Sequence, residues 1–242
     1  MLYDKDIREP LFDFLEVTYG KTRILEEKTM GQSRADIVMV TPEALYGIEI
    51  KSDADTYARL ARQIEDYDQY YDYNMIVAGT SHAANVSRHV PVYWGIITAE
   101  IADGTVDFYM LRSPLPNPRM DWKKKLQILW KPELASLQEW NGMPKYKDKS
   151  KMFVAGKIAE RIPGKIPEEK LKKEVSDILF ERDYNTAAEV VAEYRKGEIQ
   201  KLLEKTDDLQ ERLELMTEQA ARGHTFSGGG VRKSGRRRKQ KW

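Results

Sequence analysis

Between residues 34 and 53 the chain reads RADIVMVTPEALYGIEIKSD, and three residues in it combine in a way that suits metal-assisted chemistry. Alternate side chains of a strand share a face, so Glu49 and Lys51 project together while Ile48 and Ile50 point into a core. A glutamate and a lysine on such an apolar strand are an unusual use of buried positions. Solvent decoration across one face is the bland alternative. Asp36, on the preceding strand, stands opposite this pair across a hairpin. Two carboxylates brought together need a cation, and hard oxygen donors favour Mg2+ or Mn2+ over zinc.

Positioning these residues takes a short run of elements. Residues 6–19 carry Ile7, Leu11, Phe12, Phe14, Leu15 and Val17 at near-helical spacing, with Asp6 and Glu9 spaced as a capping box and Pro10 in the first turn. Strands are predicted over 22–28, 34–40 and 45–51, the last two joined by Thr41-Pro42-Glu43-Ala44 as a hairpin. A long helix is predicted over 55–73, with Tyr57, Leu60, Ile64, Tyr67 and Tyr71 along one stripe. Further strands are predicted over 74–79, 92–99 and 106–111. SPLPNP, with three prolines in five residues, then ends regular structure. Downstream, 119–195 reads as a helical extension, with helices around 168–182 and 187–195. Ile199, Leu202, Thr206, Leu209, Leu213, Met216 and Ala220 alternate spacings of three and four. That is either the seam of a short coiled coil, hence a homodimer through 199–220, or a helix packed on its own domain.

An acidic residue, a β-hairpin and Glu-x-Lys at the end of the next strand resembles the PD-(D/E)xK nuclease superfamily, with Asp36, Glu49 and Lys51 at its three positions. Residues 6–111 look most like small bacterial and phage members with an EIKSD strand end and a following DTxxRLxxQ helix, here Asp55-Thr56, Arg59-Leu60 and Gln63. Ala35 stands where the superfamily often has proline. The resemblance implies an α/β fold: a restriction-endonuclease-like αβββαβ core of residues 1–118, its mixed central sheet flanked by helices. It also implies divalent-metal-dependent hydrolysis of phosphodiesters, in DNA first of all. The cation would be held by Asp36, Glu49 and the Ile50 carbonyl, with Lys51 positioning or deprotonating the attacking water. Glu9 is implied as a further ligand, against its reading as a helix cap. Gln63 is implied to orient substrate or a metal-bound water, and Tyr67 to support it, against a core-packing reading. Arg59 and Arg62 either reach phosphates or are solvated. The alternative is a catalytically inactive nuclease-fold protein that binds nucleic acid or docks a partner.

Composition narrows the rest. There is no cysteine, which excludes disulfides, thiolate zinc sites and cysteine nucleophiles. No apolar run approaches the roughly 18 residues that span a bilayer, so no membrane partner and a cytoplasmic location are expected. Arg222, Arg232, Lys233, Arg236, Arg237, Arg238, Lys239 and Lys241 all fall in residues 222–242, which hold no acid; subtracting these eight from the net charge of +1 leaves −7 for residues 1–221. Such a tail, read as disordered, either binds DNA or RNA through phosphates or merely solubilises the chain. If it binds, deleting 222–242 flattens the salt dependence of nucleic-acid affinity, and equal slopes with and without it would remove the role. His82 and His89 read as structural or surface residues, and Trp122, Trp130 and Trp140 as packing rather than base-stacking groups.

Overall fold

Strand runs that are apolar on both faces belong in the middle of a sheet, and the chain places them there. The computed structural model describes residues 1–182 and, beyond them, Gln200, Thr206, Gln210 and Glu214, each helical and exposed. Six strands, β1 (Arg23–Met30), β2 (Ser33–Val40), β3 (Leu45–Lys51), β4 (Tyr73–Gly79), β5 (Gly95–Ala102) and β6 (Thr105–Arg112), lie side by side in chain order. β3, β4 and β5 are mutually parallel; the β1–β2, β2–β3 and β5–β6 pairs are antiparallel. The protein is a mixed α/β structure with helices on its six-stranded sheet.

Register decides what each face carries. Ile37 lies opposite Ile48, which puts Ile37, Met39, Ile48 and Ile50 on one face with Met75, Val77, Ile97 and Ala99. Helix α1 (Asp4–Tyr19) covers that face with Ile7, Leu11 and Leu15, all fully buried, each contributing about 1.5–3 kcal/mol. The opposite face carries Asp36, Gly47, Glu49 and Lys51 beneath helix α2 (Leu60–Tyr70). Gly47 sets the clearance there. A Cβ on it would stand 2.2 Å from Tyr71 Cδ2 and 2.6 Å from Tyr67 Cδ1, so only glycine lets α2 settle this close to the sheet.

Several boundaries differ from the sequence reading. α1 begins at Asp4 behind Tyr3, whose N–H donates to Asp6 Oδ2 at 3.0 Å. Asp6 is therefore the third residue of the helix rather than its cap, and Glu9 is no capping residue. Pro10 sits one turn further in, so the Asp6 carbonyl loses its i+4 donor. The expected helix over 55–73 is shorter at both ends. Asp55 instead receives the Ser52 N–H and hydroxyl in a turn, a 3-10 turn spans Tyr57–Arg59, and Tyr71 is already extended at φ −115°.

A short α3 (Thr80–Ala83) caps the end of β4. Past the proline segment come helices α4 (Trp122–Lys125), α5 (Lys131–Trp140), α6 (Lys151–Ala159) and α7 (Glu168–Glu181). α4, α5 and α6 fall inside the stretch read as a helical extension, in which helices were given bounds only around 168–182 and 187–195. Met1–Arg182, core and helical extension together, is one compact unit. Lys125, fully buried, donates to both Asp72 oxygens at 2.7 and 2.6 Å, and Asp72 Oδ2 also receives the Leu45 N–H at 2.8 Å. Arg182 pairs with Glu133, and Arg23 donates to the Phe180 carbonyl. Residues 183–242 form a second unit. The helix expected over 187–195, the seam residues 199–220 other than Thr206, and the basic tail with Arg236, Arg237, Arg238 and Lys239 lie outside the described residues. Among the described residues no helix is long and apolar enough to cross a membrane.

Candidate functional site

The β2–β3 ladder stops at Ile37 and Ile48, and the next positions in that register are Asp36 and Glu49. On the other side β1 pairs Glu26 with Ile37 and Lys28 with Ala35 but passes over Glu27 and Asp36, Glu27 taking a left-handed φ of 53°. Asp36 thus stands where sheet pairing is interrupted on both flanks. Its carboxylate does part of the ladder's work: Oδ2 accepts the Ile50 N–H at 2.9 Å. N–H and C=O of one strand residue leave the same edge of the strand, so the Ile50 carbonyl shares that edge.

Glu49 and Lys51 sit beneath α2 at 1% and 4% exposure. Lys51 Nζ donates to Glu49 Oε1 and, at 3.2 Å, to Gln63 Oε1. The Gln63 amide returns a hydrogen bond to Glu49 Oε1. Tyr67, four residues further along the same helical face, is fully buried. Its hydroxyl accepts the Asp36 N–H at 3.2 Å and faces Glu49 Oε2 at 2.8 Å, with the Ile48 carbonyl at 3.2 Å as a second acceptor. Burial, then the Glu49 charge, pushes that phenol well above its ordinary range, so it stays a donor. Asp36, Glu49, Lys51, Gln63 and Tyr67 therefore form one connected cluster.

Burial and the charge of Glu49 raise the Asp36 carboxyl to about 7, against the lowering effects of the Ile50 N–H, Lys51 and Arg8. The folded chain keeps a proton there that the unfolded chain releases near pH 4. The group's contribution to stability is complete below that pH and is lost as pH rises through about 7. Without divalent cations, Asp36→Asn is therefore expected to match the wild type near pH 4 and exceed it by roughly 2–4 kcal/mol at pH 8. Urea unfolding at both pH values checks this; a difference independent of pH would contradict it.

The residue that sequence reasoning missed is Arg8, which reaches the site from α1. Its Nε pairs with Asp4 at 2.5 Å, and Nη1 donates to Glu26 Oε2 at 3.2 Å and to the Asp36 carbonyl at 3.3 Å. Nη2 stands 3.8 Å from Asp36 Oδ1. Its neighbour Glu9 is exposed, with no hydrogen bond or ion pair to the cluster, because the turn of α1 that aims Arg8 at the sheet aims Glu9 at solvent. Arg59, at the end of the 3-10 turn, is exposed, and Arg62 of α2, also exposed, donates to the Gln32 side chain on the β1–β2 turn.

Other candidates resolve into packing. Asp53 closes the end of β3, accepting the Leu2 N–H at 2.7 Å and the Ser81 N–H at 2.9 Å, bonds that hold its carboxyl below the usual range despite the opposing effect of desolvation. His82 and His89 flank the Tyr57 ring. Trp122 and Trp130 carry Lys125 and Arg182 on their faces, and Trp140 is half exposed. Two surface concavities, one between Tyr46, Tyr73 and Glu168 and one around Leu2, Asp53 and Ser81, lie away from the cluster.

As a cation site the cluster offers two carboxylates and a main-chain carbonyl; among the described residues no three His, Asp or Glu side chains converge. Such all-oxygen donors suit Mg2+ or Mn2+, with water completing the shell.

No curated protein matches the chain. Among solved structures, that of Pyrococcus furiosus SfsA in complex with Ca2+ aligns at 14% identity over 46% of this chain, with a TM-score of 0.27. The aligned part spans 61% of that protein, and a likeness of this size fixes neither fold nor activity. The profile of the family described as bacteriophage P4 protein cII, in contrast, matches residues 2–218, which takes in nearly all of the first unit and more than half of the second. By that match the chain belongs to the bacteriophage P4 protein cII family.

Proposed function

We propose that the protein is a divalent-metal-dependent nuclease of the PD-(D/E)xK class, with a restriction-endonuclease-like core, acting on DNA. The observation that carries the reading is the buried Lys51 ammonium, held on Glu49 and Gln63 beside Asp36 at an interrupted sheet edge. A structural ion pair needs no second carboxylate next to it, whereas a phosphodiester hydrolase needs both acids and a cationic donor at one point.

Asp36, Glu49 and the Ile50 carbonyl are the residues that would hold Mg2+ or Mn2+. When bound, the cation supplies a water of lowered pKa and neutralises charge on the scissile phosphate. Lys51 Nζ, held by Glu49 Oε1 and Gln63 Oε1, is the donor that would face the substrate phosphate. Lys51 then places a positive charge at the developing oxyanion. Gln63 keeps the Lys51 side chain aimed, and Tyr67 fixes the Glu49 carboxylate against the Asp36 backbone.

Cleavage of plasmid, linear duplex, single-stranded DNA and RNA in magnesium, manganese or EDTA tests this. Metal-dependent cutting that Asp36→Ala abolishes supports the assignment and identifies the substrate. Binding without cutting on every substrate would replace it with a binding module on the same fold.

A further inference from the structure

We propose that Arg8 contacts the phosphate of the bound nucleic-acid strand, a role that rests on the nuclease reading above. Among the four carboxylate oxygens of Asp36 and Glu49, three accept hydrogen bonds: Glu49 Oε1 from Lys51 and Gln63, Glu49 Oε2 from Tyr67, and Asp36 Oδ2 from Ile50. Asp36 Oδ1 accepts none from the described residues, and what faces it is Arg8 Nη2, at 3.8 Å. That separation is too long for a hydrogen bond, so Nη2 is not committed to Oδ1 and can donate to an incoming group.

The guanidinium is not free to turn. Asp4 holds Nε, while Glu26 and the Asp36 carbonyl hold Nη1, so the Nη2 corner is presented toward Oδ1. A planar guanidinium with one edge anchored and the other offered suits a phosphate oxygen. Anchoring α1 does not require this, since Ile7, Leu11 and Leu15 are already fully buried against the sheet. The Arg8 side chain also keeps 17% exposure, enough for a strand to reach it.

The test measures binding of a short labelled DNA duplex to the full chain in calcium, over about 50–200 mM salt, for the wild type, Arg8→Gln and Arg8→Lys. Each lost phosphate contact lowers the slope of log K against log salt by about one. R8Q is expected to show that drop with unchanged manganese affinity, and R8K to retain the slope while cleaving more slowly. A wild-type slope in folded R8Q overturns the proposal, as does a wild type that does not bind the duplex. If R8Q does not fold, R8K decides, because a lowered slope in a variant that keeps the charge also overturns it. A slope drop in R8Q together with a wild type that never cleaves sustains the Arg8 contact while refuting the nuclease.

Discussion

Lys51→Ala is expected to lower single-turnover DNA cleavage by about 10²–10³-fold, while the variant still binds manganese. The loss comes from what the ammonium does: it is the one cation among Asp36, Glu49, Lys51, Gln63 and Tyr67, and it is 4% exposed. Manganese binding is expected to survive, because the proposed donors Asp36, Glu49 and the Ile50 carbonyl remain. The change also leaves Glu49 buried without its cation and is expected to cost stability, which the Gln63 amide and the Tyr67 hydroxyl offset in part as remaining donors. Quenched-flow cleavage of a labelled duplex, paired with calorimetric titration of manganese, separates the two effects. Cleavage at the wild-type rate would show that Lys51 stands outside the reacting centre.

The largest effect on stability falls far from that cluster. Lys125→Ala is expected to destabilise the chain by about 3–5 kcal/mol, because it leaves the nearly buried Asp72 carboxylate facing an empty space. Desolvation drives the Lys125 pKa down, and Asp72 opposes that shift. Asp72→Ala should be at least as damaging, since it strands the Leu45 N–H as well as the ammonium. The double variant Lys125→Met, Asp72→Asn is expected to recover much of the loss: both charges go, and asparagine still accepts from Leu45. Midpoints of urea unfolding at constant slope give the comparison. A loss under about 1 kcal/mol for K125A would place the pair among solvated surface bridges.

The contrast between these two sites also explains what the sequence revealed. β3 was legible to the residue, Leu45–Lys51, because Ile48 and Ile50 alternate with Glu49 and Lys51 between turn residues. β4, read as a continuously buried strand, and β5 and β6, read around the Asp103-Gly104 turn, came within three residues at either end. Gln63 and Tyr67 were reached through the family resemblance, and their spacing of four puts them on one helical face. Arg8, the Lys125–Asp72 pair and the buried Asp68, which receives Asn74, Tyr93 and Trp94, were not. Each depends on partners that approach only once the sheet exists: Asp36 is 28 residues from Arg8 and Asp72 is 53 from Lys125, separations that leave no local period. The end errors on α1 and α2 arose where a side chain supplied a cap that propensity does not encode: Asp6 to Tyr3, and Asp55 to Ser52. The bounds of α6 were hidden by Gly156 and by the lysine-rich loop before it.

The strand order, identical with the chain order, bears on synthesis. Each strand leaving the ribosome finds its neighbour already made and adds to the newest edge, so no strand has to be threaded between two that have paired. The ammonium for Asp72 arrives later than the strand whose start that carboxylate holds. At about 5–20 residues per second, the 53 residues separating Asp72 from Lys125 take roughly 3–10 s. Over that interval water serves the carboxylate that holds the start of β3.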